Sequence, residues 1–351
     1  MSLSIVVPMY NLEHYVEPLL NSLLDQSEKR FELILVDDGS RDRTAQVAQE
    51  MLASHPILQA KLIRTPNGGV SAARNTGLAA ASGDYVLFLD GDDYADSSLV
   101  QRVESCTADG KTDILCWGYN LVREDRSTIV SFTSDAGDTT GSEALKNIFV
   151  HKSLRIWTGS IAFKRSFLLE NGISYTERCV NGEDQEFIYK ALSRASRVIS
   201  IPDVLSYYLQ RTSSITGTYN VNKFDVVAAF KRVDEYFSDH PFSEVHTISG
   251  LLLNREMTEN YFYNLKTCLN GTSGISTRKL LHDIDLAYPG VNQEMLAIMR
   301  KYQGDDRKLA FQIKVFLISP SLYGRLVHLD RSWLQFKQKL KAVISRKDIK
   351  I

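Results

Sequence analysis

The sequence predicts an α/β fold: a mostly parallel, doubly wound sheet followed by an α-helical appendage. Three patterns carry that prediction. Over the first ninety residues, short apolar and β-branched runs without alternation recur, as in strands buried on both faces. Between them apolar residues return at helical spacing, giving the order β-α-β-α-β-α-β of right-handed crossovers. From Asn222 onward the spacing is helical throughout.

Ser4-Ile5-Val6-Val7-Pro8 is the first strand, broken by Met9-Tyr10-Asn11. Val16, Leu19, Leu20, Leu23 and Leu24 then share a helix face. Phe31 to Val36 is the second strand, ending in Asp37-Asp38-Gly39-Ser40, and Asp42 is placed to cap the next helix. Lys61 to Arg64 is a short third strand; Asn67-Gly68-Gly69 turns the chain into a small-residue helix, Val70 to Ala81. Tyr85 to Leu89 is the fourth strand and runs into Asp90-Gly91-Asp92-Asp93. Beyond it the spacing predicts a helix near Leu99 to Val103 and strands over Asp113 to Trp117 and Ser127 to Phe132. A polar loop follows over Gly137 to Gly141. Strands are expected again at Val198 to Ile201 and Leu205 to Tyr208. In the appendage Gly271 to Gly274 reads as a hinge, and Ile313 to Ile344 as a basic amphipathic helix. The expected domains are 1–218, split into a donor half 1–100 and an acceptor half 101–218, and a helical region 219–351.

Composition narrows the class. With 351 residues, 44% of them hydrophobic, the chain can bury one large core or two smaller ones. Cys106, Cys116, Cys179 and Cys268 are widely spaced and form no C-x-x-C pair, as expected of buried thiols in a reducing compartment rather than zinc ligands. No signal peptide is expected, and no apolar run approaches the roughly 20 residues of a membrane span. A cytoplasmic location follows as the expectation. The net charge of −1 hides an asymmetry: from Arg300 on there are 13 Lys and Arg against 4 Asp and Glu, and before it 28 against 38. An acidic body with a basic tail is expected to meet an anionic surface, nucleic acid and acidic lipid both being of that kind.

In a doubly wound sheet the loops Pro8 to Asn11, Asp37 to Ser40, Asn67 to Gly69 and Asp90 to Asp93 gather at the carboxyl edge, where such folds bind ligands. Three carboxylates within four residues repel one another, and oxygen ligands of that kind suit Mg²⁺ or Mn²⁺. Neither a G-x-G-x-x-G fingerprint nor a Walker A loop is present. The phosphate charge of a nucleotide would therefore be met by a cation held by the acidic cluster.

Ile5 to Asn11, Val36 to Ser40, Gly69-Val70-Ser71-Ala72-Ala73-Arg74-Asn75 and Phe88 to Asp93, in this order, resemble the inverting family 2 glycosyltransferases of the GT-A fold. The resemblance covers roughly residues 3 to 215. It implies that Pro8 and Tyr10 line a nucleobase pocket, that Asp38 accepts from the base N3–H, and that Arg74 lies near base and diphosphate. It further implies that Asp90 holds the ribose or the metal surroundings and that Asp92 ligates the metal, with Gly69 and Gly91 completing the donor side. For Asp93 two readings stand, a site residue or the start of the following helix. A carboxylate opposite N3–H suits uracil, because cytosine lacks that proton.

On the acceptor side, Val180-Asn181-Gly182-Glu183-Asp184-Gln185-Glu186-Phe187 resembles the family's acidic motif at a helix start, where acids are stabilised by free N–H groups. The resemblance implies Asp184 as the base that takes the acceptor proton, with Glu183 in support. Asn181 and Trp157 belong to the same side; Trp157 either stacks on a sugar ring or is a core tryptophan. Gln210-Arg211-Thr212-Ser213-Ser214 resembles the loop after the base helix, which implies that Arg211, Ser213 and Ser214 close over the diphosphate. Some relatives carry a metal-binding histidine here, whereas this sequence has none between His151 and His240.

One base suffices for an in-line displacement whose leaving group is stabilised by a metal, unlike glycosidases, which protonate an alkoxide. Inversion at the anomeric centre is the expected outcome. The implied function is metal-dependent transfer of a sugar from a nucleotide-sugar, UDP-linked, to a hydroxyl of a glycan in surface polysaccharide synthesis, without nucleic acid as partner. The basic C-terminal helix either lies peripherally on the inner face of the membrane, with a lipid-linked acceptor, or packs on the protein. The alternatives are a nucleotidyltransferase, which would show a Gly-rich, basic loop in place of Pro8 to Asn11, and a non-catalytic scaffold, expected to lack Asp92 or Asp184.

Overall fold

The structure, a computed structural model, describes residues 2–55, 59–133, 135–211, 219–238, 243–271 and 275–329. The chain forms two compact units, Met1–Arg211 with Arg232–Ser249, and Thr212–Lys231 with Gly250–Ile351. The expected division at 218/219 lies beside residues 212–218, outside the described ones.

The first unit begins as the apolar pattern requires: β1 (Leu3–Met9), α1 (Val16–Leu24), β2 (Phe31–Asp37), α2 (Thr44–Ser54), β3 (Gln59–Arg64), α3 (Val70–Ala80) and β4 (Tyr85–Phe88). Every residue of β1, β2 and β4 is buried, which is why these strands carry no polar alternation. They lie in the order β3-β2-β1-β4, all parallel, with Val6 paired to both Ile34 and Phe88. Leu19, Leu20 and Leu23 of α1 cover one face together with Ile5, Val7, Leu33, Leu35 and Leu87, each contributing about 1.5–3 kcal/mol by leaving water. Against the other face lies α3. A Cβ on its Gly77 would meet Val6 Cγ1 at 2.2 Å, so the bare glycine lets the helix touch the sheet and seats Arg74 one turn earlier. Asp42 is not the helix cap expected: the N-cap residue of α2 is Arg43, and Asp42 instead accepts from Thr44 N (3.0 Å) and Glu13 N (3.2 Å), fastening α2 to the loop after β1.

The unit continues with β5 (Tyr94–Ala95), α4 (Leu99–Thr107), β6 (Ile114–Val122), β7 (Thr128–Phe132), β8 (Gly137–Thr139), α5 (Gly141–Phe149), β9 (Ile161–Lys164), α6 (Arg165–Glu170), α7 (Glu183–Arg194) and β10 (Val198–Leu209). From β4 the sheet runs on as β9-β6-β10-β5. Strand β9 is antiparallel to both neighbours and β10 parallel to β6, so a parallel half joins a mixed one. The polar loop expected at Gly137 to Gly141 is strand β8, antiparallel to β10, and then α5. Thr140 caps that helix by accepting from Glu143 N at 3.3 Å, a T-x-x-E signal hidden by the polar composition. The two strands expected near 198 and 205 are one, with register shifts on either side of Val204, where Pro202 has removed a ladder donor.

After α8 (Val226–Ser238) and α9 (Ser243–Leu251) a π turn over Leu252–Glu256 leads into α10 (Met257–Gly271). Then come α11 (Thr277–Ala287), α12 (Val291–Lys301), α13 (Arg307–Ile318) and a helical stretch over 320–329. Tyr261 anchors the second unit. Its ring meets Phe224 and Phe316 edge-on and its hydroxyl donates to Asn292 Oδ1 at 2.6 Å. Gly271 closes α10, and the rest of the expected hinge is outside the described residues. Among the described residues no helix is long and apolar enough to cross a membrane.

Candidate active site

The parallel half brings four loops to the carboxyl edge, and hydrogen bonds lock them to one another. Asp38 is buried, and its Oδ1 accepts from Gly68 N (2.7 Å) while its Oδ2 accepts from Gly69 N (2.9 Å). Gly39 makes the turn possible: its φ is +73° and a Cβ there would meet Asn67 N at 2.9 Å. The carboxylate expected to face a base thus first holds the Gly68-Gly69 backbone, each oxygen keeping a second acceptor direction. Pro8 sits beside Val36 in the sheet, and Tyr10, just beyond β1, is 43% exposed although large and aromatic.

The acidic turn packs onto the same loop. A Cβ on Gly91 would meet Leu12 Cδ1 at 2.6 Å and Pro8 O at 3.0 Å, so only glycine lets Asp90 and Asp92 come this close to β1. The three acids have three different partners. Asp90 Oδ1 accepts from Arg74 Nη2 at 2.7 Å. Asp92 Oδ2 lies 2.8 Å from Arg211 Nε, and its carboxyl is pushed up to about 6 by burial and by Asp90, with Arg211 pulling the other way. Asp93 is almost wholly buried and accepts from Leu209 N at 2.7 Å, clasping the turn to the end of β10. It does not cap α4, whose N-cap residue is Ser98. Asp96 makes the turn before α4 instead, accepting from Ser98 N at 3.0 Å. Among the described residues Asp93 Oδ2 has no partner, and burial together with Asp92 and Asp90 drives its carboxyl well above the usual range.

Arg74 is the centre of the arrangement. Its side chain is 4% exposed, and besides Asp90 it reaches Glu183 Oε1 at 3.4 Å through Nη1. It lies over the ring of Tyr175 at 5.0 Å. Tyr175 in turn stacks on Phe187 of α7 at 4.1 Å, and Phe187 meets Phe88 of β4 and Phe163 of β9 edge-on. Helix α7 is therefore packed directly against the strand that ends in the acidic turn. Asn75 fixes Tyr175 through both backbone groups: its Nδ2 donates to Tyr175 O and its Oδ1 accepts from Tyr175 N, each at 2.9 Å. A helix-interior asparagine, a poor helix former, was the available signal for it.

Gly182 is the N-cap residue of α7, at a φ of +88° that suits glycine, and Glu183 and Asp184 follow in the first turn. Asp184 Oδ1 accepts from Gln185 N at 2.8 Å. Burial raises both carboxyls, Glu183 to about 7 with Asp184 adding to it, while Arg74 favours their charged forms. Tyr119, whose hydroxyl burial pushes up to about 12, feels the charge of Asp184. Its ring lies 5.5 Å from Trp157, which meets Tyr208 at 5.2 Å. Trp157 is half-buried, packs on the core and lies over Gly159. Tyr119 and Tyr208, each beside Trp157, had no sequence signal beyond strand-borne aromaticity. Asn181 stands two residues before Glu183; Ser213 and Ser214 fall outside the described residues.

Residues 4–151, holding all four loops, match the sequence model of glycosyl transferase family 2. The match takes in less than half of the chain. The chain is 33% identical over 218 residues to the uncharacterized glycosyltransferase EpsJ of Bacillus subtilis, covering 61% of this chain and 62% of that protein. It is 28% identical over 298 residues to the poly(ribitol-phosphate) beta-N-acetylglucosaminyltransferase TarS of Staphylococcus aureus, covering 81% of this chain and 47% of that protein. It thus spans less than two thirds of either relative. Residues 1–349 of S. aureus TarS, solved in complex with UDP, share the fold with a TM-score of 0.65 and 23% identity, over 95% of this chain and 92% of that one. The GT-A architecture expected from the sequence is the one observed, with its helical appendage.

Proposed function

We propose that the family 2 domain transfers a sugar, with inversion, from a UDP-sugar to a hydroxyl of a glycan in surface polysaccharide synthesis. One observation carries this reading: buried Arg74 touches Asp90 of the donor turn and Glu183 of the base helix at once, so donor and acceptor chemistry share one centre. TarS, crystallised with UDP and with UDP-GlcNAc, supports uracil as the base.

Tyr10 and Pro8 border the nucleobase, and Asp38 accepts N3–H with its remaining lone pairs. Among the described residues no three side chains form a metal cluster. One carboxylate, Asp92, with diphosphate oxygens and water fits Mg²⁺ or Mn²⁺, which keep several waters and share phosphates. Such an ion supplies charge stabilisation for the departing diphosphate. Asp184 takes the acceptor proton, Glu183 and Arg74 setting its charge, while Tyr119, Trp157 and Tyr208 offer an aromatic wall for the acceptor sugar. Arg211 and the Ser213-Ser214 segment complete the diphosphate side. A lipid-linked acceptor at the cytoplasmic face of the membrane is part of the same proposal.

The test is turnover of UDP-, GDP- and dTDP-sugars with Mn²⁺ or Mg²⁺, with and without a glycan acceptor. UDP-sugar turnover that chelation abolishes is expected. Asp184→Asn should spare slow donor hydrolysis and remove transfer; transfer surviving in that variant sinks the assignment.

A further inference from the structure

Asp92, the carboxylate assigned above to the cation, already has a partner. Arg211 Nε stands 2.8 Å from Asp92 Oδ2, a charge-assisted contact, and the two side chains are only 24% and 15% exposed. The guanidinium also lies over the ring of Tyr15, 5.0 Å from its centroid. Tyr15 is not a mobile shelf. It is the N-cap residue of α1, its N–H donates to Leu12 O at 2.9 Å, and its ring packs on the core. A parking place for Arg211 is thus built from the first loop and the acidic turn, both rigid parts of the parallel half.

A guanidinium and a divalent cation compete for that carboxylate, because each would bring positive charge to one half-buried site. We propose that Arg211 is the resting counter-ion of Asp92, exchanged for the divalent cation only when a nucleoside diphosphate arrives. The diphosphate supplies the negative charge that lets cation and guanidinium stay together, Arg211 moving from carboxylate to phosphate oxygens. Cation and nucleotide then bind synergistically, and the cation alone binds weakly. Tyr15 is a positioning residue that holds the guanidinium in register for the exchange. The inference rests on the reading of Asp92 as the metal ligand.

The experiment titrates Mn²⁺ into the full chain, following free Mn²⁺ by electron paramagnetic resonance, with and without UDP. Without UDP, Arg211→Gln is expected to bind Mn²⁺ about tenfold more tightly than wild type, the factor that loss of one competing half-buried ion pair makes. Arg211→Lys should resemble wild type, and Tyr15→Leu should fall between. With saturating UDP the advantage of Arg211→Gln should vanish or reverse. Equal Mn²⁺ affinity of wild type and Arg211→Gln without UDP, with both folded by melting temperature, overturns the proposal. Asp92→Asn separates the two readings: it should abolish Mn²⁺ binding in every background. Binding with UDP that survives Asp92→Asn removes the metal assignment, and this inference with it.

Discussion

At the scale of single residues, one buried arginine, Arg74, acts on both carboxyls that open α7, and the proposed base chemistry depends on it. Glu183 and Asp184 are raised by burial, and Glu183 by Asp184 besides, whereas Arg74 lowers both. A base acts only as carboxylate, so activity should be full above the pair's titration and fall as pH drops through it. Glu183→Gln removes a neighbouring negative charge and should move the acid limb of kcat/KM to lower pH. Arg74→Gln removes the stabilising cation and should move it to higher pH, each by about one pH unit for about 1.4 kcal/mol of interaction. A pH–rate profile of the three proteins checks both signs; an acid limb that stays put in both variants places the base elsewhere. Asp184→Asn should cost at least about a hundredfold in kcat, the scale of a lost general base.

Elements are held in register by polar side chains that serve the sheet. Glu32, 8% exposed, accepts from Ser4 Oγ (2.7 Å), Lys61 Nζ (2.7 Å) and Ser82 N (2.8 Å), tying β1, β2, β3 and the lead into β4. Burial opposes its charge, but these donors hold the carboxyl down at about 2 against an ordinary 4.5. Its stabilisation is therefore complete above pH 4.5 and is lost as pH falls towards 2. Denaturant melts should show Glu32→Gln about 2 kcal/mol less stable at pH 7, with the gap closing across that window. A gap independent of pH counts against it. Asn75→Ala, which frees Tyr175 from α3, should lower stability by about 1–3 kcal/mol through two lost, partly buried hydrogen bonds. It should also reduce kcat more than Glu32→Gln does. The parallel half was legible because doubly buried strands write continuous apolar runs and their loops carry the ligand residues. The mixed half was harder to read: α5 begins in a run of small polar residues, and β10 crosses Pro202. The locks at Asp38, Asp93 and Asn75 join residues up to 116 positions apart, and local spacing does not encode such distances.

On the whole molecule, the surface of the last helices is apolar where water would favour otherwise. Phe311, Ile318, Leu322, Leu326 and Leu329 are exposed, and Arg307, Lys308, Lys314 and Arg325 stand exposed among them. The remainder of the expected basic helix, 330–351, lies outside the described residues. Co-sedimentation with anionic vesicles, absent with neutral ones, is expected, each basic side chain near the surface adding about 1 kcal/mol. Ile318→Glu together with Leu329→Glu should release the protein, and equal negligible binding of all forms refutes a membrane role. The clasp of Asp93 on Leu209 has a consequence of another kind. Since β5 pairs with β10 and Tyr94 stacks on Tyr207 at 4.7 Å, the three residues after Asp92 belong with the mixed half of the sheet although they follow directly on its parallel half in the chain. A chimera of two such chains is therefore expected to keep Asp93 with its clasp on Leu209 only where the crossover precedes Asp93, whereas a cut at residue 100 takes the turn from one parent and the clasp from the other and should lower the melting temperature.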